Sequence, residues 1–352
     1  MNYLPPMRPE PVVKRGEFCF AASHFDHGHI YAQVRGLVNA GGICRYIFES
    51  DEKKVEPFKD LIQEGTKCVH SFDEILNDPE VQLVTAAAIP NERAQLGMRV
   101  LDAGKDYFTD KSPFTTLAQL SEVRKKITET RRKYMVFYSE RLCCESAWQA
   151  GELIKQGTIG RVLQVLNLAP HNLAAQTRPE WFFRKQGYGG ILTDIGSHQF
   201  EQFLTYADAC DATINFARVA NYGNPSYPEF EDFGEASLTL NTGASAYCRL
   251  DWFNPKASRT WGDGRCFVLG DKGYMELRKY VDVTREDEGD KIFLVNDEVE
   301  TEIACSGKVG FPFFGKLILD VLNRTEHAMT QEHALKAAEL SMKAQAFADS
   351  AR

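Results

Sequence analysis

The chain has 352 residues, enough for two domains rather than one, and with 43% hydrophobic and 26% charged residues its composition is that of an ordinary soluble globular protein. A net charge of −8 argues against a nucleic-acid groove or an anionic membrane surface as the main partner. No apolar run approaches the length that crosses a bilayer, Met1 to Glu10 lacks the apolar core of a secretory signal, and nine cysteines with no C-x-x-C pair and no zinc-type spacing fit a reducing cytoplasm.

In chain order, residues 1–15 read as an irregular, proline-bearing arm. Phe18 to Ala22 is a short apolar run that suits a buried first strand. The polar turn Ser23-His24-Phe25-Asp26-His27-Gly28 leads to a helical pattern from Ile30 to Ala40, with Ile30, Val34, Leu37 and Val38 on one face and Gly41-Gly42 as its stop. Strands follow at Ile43–Phe48, Cys68–Val69, Val81–Ile89, Tyr107–Thr109 and Tyr134–Tyr138. Helices are predicted between them at Val55–Glu64, Phe72–Asn77, Glu92–Ala103 and Leu117–Lys133. This alternation predicts a doubly wound parallel sheet in a first domain of about residues 14–140. From residue 141 to 352 the pattern changes. A helix at Ser146–Gln156 precedes strands at 162–168, 212–220, 235–240, 245–253, 266–269, 274–277 and 292–295, and helices close the chain at 313–324 and 332–351. That pattern predicts an α/β domain with an open, mostly antiparallel sheet, one face covered by helices.

If the first domain binds a dinucleotide, its first β–α turn should carry G-x-G-x-x-G, which brings backbone close to a pyrophosphate at a helix N-terminus. Only Gly28 remains of it, within Ser23 to His29. Phosphate would then be held by backbone alone or with help from His27 and His29. Those histidines also raise a metal reading, but no distant ligand set completes it, so no metal is expected. Glu49, ending the second strand, is placed to accept hydrogen bonds from ribose hydroxyls and to repel a 2′-phosphate, which favours NAD over NADP. Ala88, Pro90 and Asn91 end the fourth strand at the edge where open sheets bind ligands. Asp194 and His198 stand four apart, so on a helical turn they share a face. His171, Arg178 and Trp181 precede them, and aromatic side chains among charged ones suit a sugar.

The segment Gly189-Gly190-Ile191-Leu192-Thr193-Asp194-Ile195-Gly196-Ser197-His198, read with Thr109-Asp110-Lys111-Ser112-Pro113, resembles the G-G-x-L-x-D-x-G-x-H and E-K-P motifs of the Gfo/Idh/MocA family of nicotinamide-dependent oxidoreductases. The departures are the glycine-poor turn, Asp110 for Glu, the displaced proline, and Ala94 where the family has a histidine after P-N. The resemblance implies a Rossmann domain binding NAD through Ser23, His27, Gly28, His29, Glu49, Ala88, Pro90, Asn91, Asp110, Lys111 and Arg141. It implies Lys111 beside the nicotinamide, His198 as general acid or base, and Asp194 holding the imidazole or a substrate hydroxyl, with His171, Arg178 and Trp181 toward substrate. It further implies a homodimer or homotetramer oxidising a secondary hydroxyl of a sugar, cyclitol or sugar acid. Two alternatives stay open: a redox-neutral enzyme that recycles tightly bound NAD on glycosides through a 3-keto intermediate, and a non-catalytic ligand-binding relative.

Overall fold

Strands buried along their whole length, such as Leu83–Ala87 and Asp106–Asp110, can only form where both faces of a sheet are covered. In the computed structural model, which describes residues 3, 4, 9–61, 63–285 and 289–351, they form the centre of a six-stranded sheet. The strands are β1 (Cys19–Phe25), β2 (Ile43–Phe48), β3 (Lys67–Cys68), β4 (Leu83–Ala87), β5 (Asp106–Asp110) and β6 (Tyr134–Phe137). All pairs are parallel and the order is β3-β2-β1-β4-β5-β6. The order reverses between β1 and β4, and that switch point is where such sheets bind ligands. This unit comprises Pro9–Phe137 and Phe311–Leu335. Its first helix, His29–Asn39, ends at Ala40 and Gly41 turns the chain at φ 103°. Gly36 on that helix lets the Phe314 ring of the helix Pro312–Asn323 approach closely, since a Cβ there would sit 2.4 Å from the ring.

The second unit, which includes Tyr138–Gly310 and Lys336–Arg352, holds an eight-stranded sheet. Its strands are β7 (Val162–Pro170), β8 (Ala212–Ala220), β9 (Phe233–Leu240), β10 (Ser245–Asp251), β11 (Arg265–Gly270), β12 (Gly273–Arg278), β13 (Lys291–Asn296) and β14 (Glu300–Ala304). The order is β14-β13-β12-β11-β7-β10-β9-β8, antiparallel except for the β7–β10 pair. Side chains alternate along these strands between buried and solvent-facing, as a sheet covered on one face requires. The helices Glu145–Lys155 and Gly196–Tyr206 lie against it.

Two local expectations change. The helix expected at Val55–Glu64 starts earlier, at Glu52–Val55, and tightens into a 3-10 turn at Glu56–Leu61, where Pro57 removes an amide from the α-helical ladder. Strand β14 escapes the sequence reading because its run ETEIA buries only Ile303. Residues 1, 2 and 5–8 of the expected arm, and Ile62 of the expected helix, lie outside the described residues. Among the described residues, no helix is long and apolar enough to cross a membrane.

Candidate active site

The first unit gathers its charged side chains at the carboxyl ends of β1, β4 and β5. Asp110, the last residue of β5, is fully buried. Its two oxygens face His27 Nδ1 at 2.9 Å and His29 Nδ1 at 2.8 Å, so a distant ligand-type side chain does join the two histidines, against the sequence expectation that none would. Arg93, itself 1% exposed, reaches the same carboxylate at 3.2 Å and donates to the carbonyls of Ala88, at 2.7 Å, and Ser112, at 3.0 Å, and to that of Lys111. One guanidinium thus ties the end of β4 to the end of β5 and fixes the backbone that carries Lys111, whose own amide donates to Asp110 at 2.8 Å. The Lys111–Ser112 peptide bond is cis. Burial works to raise the Asp110 carboxyl, but His29, Arg93 and His27 outweigh it and hold the group well below the usual carboxylate range. Burial, with the neighbouring His29, pushes the His27 imidazole down to about 4 against the pull of Asp110.

The glycine-poor turn is braced from behind. The amides of Asp26 and His27 both donate to the Ala87 carbonyl at the end of β4, at 3.1 and 3.0 Å. Gly28 caps the helix with φ −64°, and a Cβ there would meet open space, so neither conformation nor contact within the chain demands glycine. Glu49 accepts from the amides of Phe25 at 3.1 Å and Asp51 at 3.0 Å. Burial works to raise its carboxyl, and those amides with Lys54 outweigh it, leaving it below its ordinary value. Buried Ser23 Oγ, Asn91 Oδ1 and Ser112 Oγ have no hydrogen-bond partner among the described residues. Buried polar atoms are rarely left so, and all three lie at strand ends on the switch-point edge. A polar ligand along that edge would satisfy them, so the residues present fit a dinucleotide.

In the second unit, Gly189 and Gly190 adopt φ 86° and 102°. A Cβ at Gly190 would come within 2.3 Å of the Gln345 side chain, so the close neighbour that requires glycine is the last helix, Gln331–Ser350. Gln345 Oε1 in turn accepts from the Leu192 amide at 3.0 Å. The helices Ile191–Asp194 and Gly196–Tyr206 join through Ile195, which keeps helical dihedrals of −68° and −39°. The two run on as one rod, and the spacing of four keeps Asp194 and His198 on one face. Both are buried, and the His198 ring stands edge-on to Tyr138 with centroids 6.3 Å apart. Arg178 lies over Phe182 at 4.7 Å and Trp252 at 5.2 Å. Burial pulls its guanidinium down, and nearby Asp194 pulls it back up. His171 sits between Trp252, at 5.3 Å, and Trp261, at 4.7 Å, with Nε2 3.6 Å from buried Glu140.

Two family models match the chain: the Gfo/Idh/MocA C-terminal domain over residues 148–276, and the oxidoreductase-family NAD-binding Rossmann fold over residues 37–138. A solved structure from Erwinia carotovora atroseptica is 44% identical, covers 94% of this chain and 99% of its own, and superposes with a TM-score of 0.89. The chain belongs to the Gfo/Idh/MocA oxidoreductase family. A levoglucosan dehydrogenase solved with NADH and levoglucosan shares the fold alone, at 13% identity and TM-score 0.78 over 95% of this chain and 98% of its own. A D-xylose dehydrogenase from Paenarthrobacter nicotinovorans is 27% identical over 132 residues, 36% of this chain and 34% of the relative. The chain thus matches about a third of the length of that curated relative.

The structure carries Asp194, His198, His171 and Arg178 in one unit and the Asp110–Lys111 corner in the other. Arg141 does something the sequence does not suggest. It forms a bidentate ion pair with fully buried Glu201, with Nε contacts of 2.8 and 2.9 Å, and stacks over Trp148 at 5.4 Å. Trp181 packs beside Phe182 and leaves its carbonyl 2.6 Å from where a Cβ on Gly187 would be. Arg93 is the main residue missed, and its only signal is a cation opening the helix next to Ala94. Glu140, Gln199, Gln202 and Lys279, a buried polar network behind His198, were missed as well, because they come from three separate stretches of chain.

Proposed function

We propose that this family member is an NAD-dependent dehydrogenase that oxidises a secondary hydroxyl of a sugar, cyclitol or sugar acid. The observation that carries the reading is the buried Asp194–His198 rod with Arg178 beside Asp194. Relatives named D-xylose dehydrogenase and scyllo-inositol 2-dehydrogenase (NADP(+)) support the substrate class. When bound, nicotinamide supplies the hydride acceptor. Ser23, Asn91 and the His27–Asp110 corner would hold the dinucleotide along the strand ends. Glu49 favours NAD, because a carboxylate there repels a 2′-phosphate. His198 takes the hydroxyl proton, a task that suits an imidazole near neutral pH. Lys111 polarises the reacting oxygen, while Asp194 and Arg178 orient neighbouring hydroxyls. None of the nine cysteines is bridged, which suits a reducing cytoplasm.

Lys111→Ala and His198→Ala are each expected to lower kcat about 10²- to 10⁴-fold while NAD affinity, measured by calorimetry, stays within a few-fold. Near-normal turnover in both variants would refute the assignment.

A further inference from the structure

We propose that dinucleotide binding is coupled to proton uptake on His27, whose imidazolium then donates through Nε2 to the cofactor's diphosphate. The inference rests on the NAD-binding reading above and starts from what the turn lacks. The glycine fingerprint is gone, and the Asp26 and His27 amides that might replace it are engaged by the Ala87 carbonyl. That leaves the side chains at the helix start to meet the phosphates.

Their protonation follows from Asp110. A carboxylate only accepts hydrogen bonds, so the nitrogen 2.9 Å from it, His27 Nδ1, must carry the proton. The same holds for His29 Nδ1 at 2.8 Å. The His29 amide also approaches His27 Nδ1, at 3.4 Å, a longer contact than the one to Asp110. A neutral imidazole has one N–H only. With Nδ1–H turned to Asp110, Nε2 of neutral His27 is an acceptor, and an acceptor facing a phosphate oxygen repels it. Asp110 is fully buried, while a fifth of the His27 side chain is exposed.

The groups facing His27 are Asp110 from β5, Arg93 from the helix Arg93–Asp102, Lys111 just beyond β5, and His29. Arg93 already compensates the Asp110 charge at 3.2 Å, and Lys111 adds a further positive charge, so the unliganded site does not hold His27 in its charged form. The diphosphate supplies the missing anion. The imidazole pKa therefore rises on binding from its free-state value of about 4, so affinity is full below that free value and is lost as pH rises from it to the bound-state value. For one proton the loss is about tenfold in Kd per pH unit across that window, and the Kd levels off above the bound-state value.

The test titrates NAD into the EDTA-treated full-length protein by calorimetry at about pH 6, 7 and 8, in buffers of low and high ionisation enthalpy. The expected result is proton uptake that is largest at about pH 6, approaching about one per NAD, and that shrinks as pH rises past the bound-state value, with a Kd that weakens over the same range. His27→Gln, which cannot charge, is expected to bind more weakly at low pH and to show no pH dependence. A pH-independent Kd with no proton uptake, or uptake unchanged in His27→Gln, overturns the inference and leaves the dehydrogenase reading standing. If folded wild-type protein binds no NAD at any pH, the underlying reading fails and the inference falls with it. Should His27→Gln not fold, the wild-type proton count alone decides.

Discussion

At the scale of single residues, the same side-chain types play opposite parts. Asp194 and His198 were legible because their relation is local: a spacing of four on a helix survives whatever the rest of the chain does. Arg141 and Asp110 were read as cofactor contacts, yet each has a buried ionic partner from a distant element, Glu201 and Arg93. Sequence spacing carries no signal for either pair. Glu201 is fully buried and Thr205 also donates to it at 3.0 Å, so removing the guanidinium strands a charge. Arg141→Met is therefore expected to destabilise the second unit by about 3–5 kcal/mol, read as a lower midpoint in urea unfolding. Arg141→Met paired with Glu201→Leu should recover much of that loss, since the stranded charge is gone. If Arg141→Met left the midpoint unmoved and raised only the NAD Kd, the guanidinium would belong to the cofactor after all.

At the scale of elements, the parallel sheet and its helices were readable because short apolar runs alternated with helical periods and glycine stops. What the periodicity could not reveal was which strand ends meet. The order β3-β2-β1-β4-β5-β6 brings the β1 turn, Arg93 after β4 and Asp110 on β5 into one corner, and only that order makes His27 and Asp110 partners. In the Gly189-Gly190 pair of the family motif, Gly190 permits a close approach, and the structure identifies its neighbour as Gln345. Gly190→Ala combines a left-handed φ of 102° with a 2.3 Å clash, and Gln345 cannot retreat without losing its bond to the Leu192 amide. The substitution is expected to cost roughly 2–4 kcal/mol and to lower kcat more than it raises KM, because the rod carrying Asp194 and His198 shifts. Thermal unfolding with steady-state kinetics checks both; an unchanged melting temperature would mean the last helix yields freely.

At the scale of the whole molecule, the uncovered face of the eight-stranded sheet presents Leu166, Phe267, Leu269 and Tyr274 side by side in register, with Phe267, Leu269 and Tyr274 each 38–50% exposed. Leu166 pairs with Phe267 and Leu269 with Tyr274, with Gln164 and Glu276 between them; exposed apolar pairs of this kind suit an interface, as the homodimer or homotetramer implied by the family resemblance would need. Phe267→Asp with Leu269→Asp is expected to shift the sedimentation coefficient to that of a monomer; a wild-type protein already monomeric at micromolar concentration would remove the argument. The proposed function requires the six-stranded sheet to hold NAD despite its glycine-poor turn. The most direct measurement denatures the purified protein, identifies any released dinucleotide by chromatography and mass, and titrates the emptied, refolded or as-isolated chain with NAD and NADP. NAD(H) is expected to be released, or NAD to bind at about one per chain and more tightly than NADP. A folded protein that releases no dinucleotide and binds neither form would contradict it.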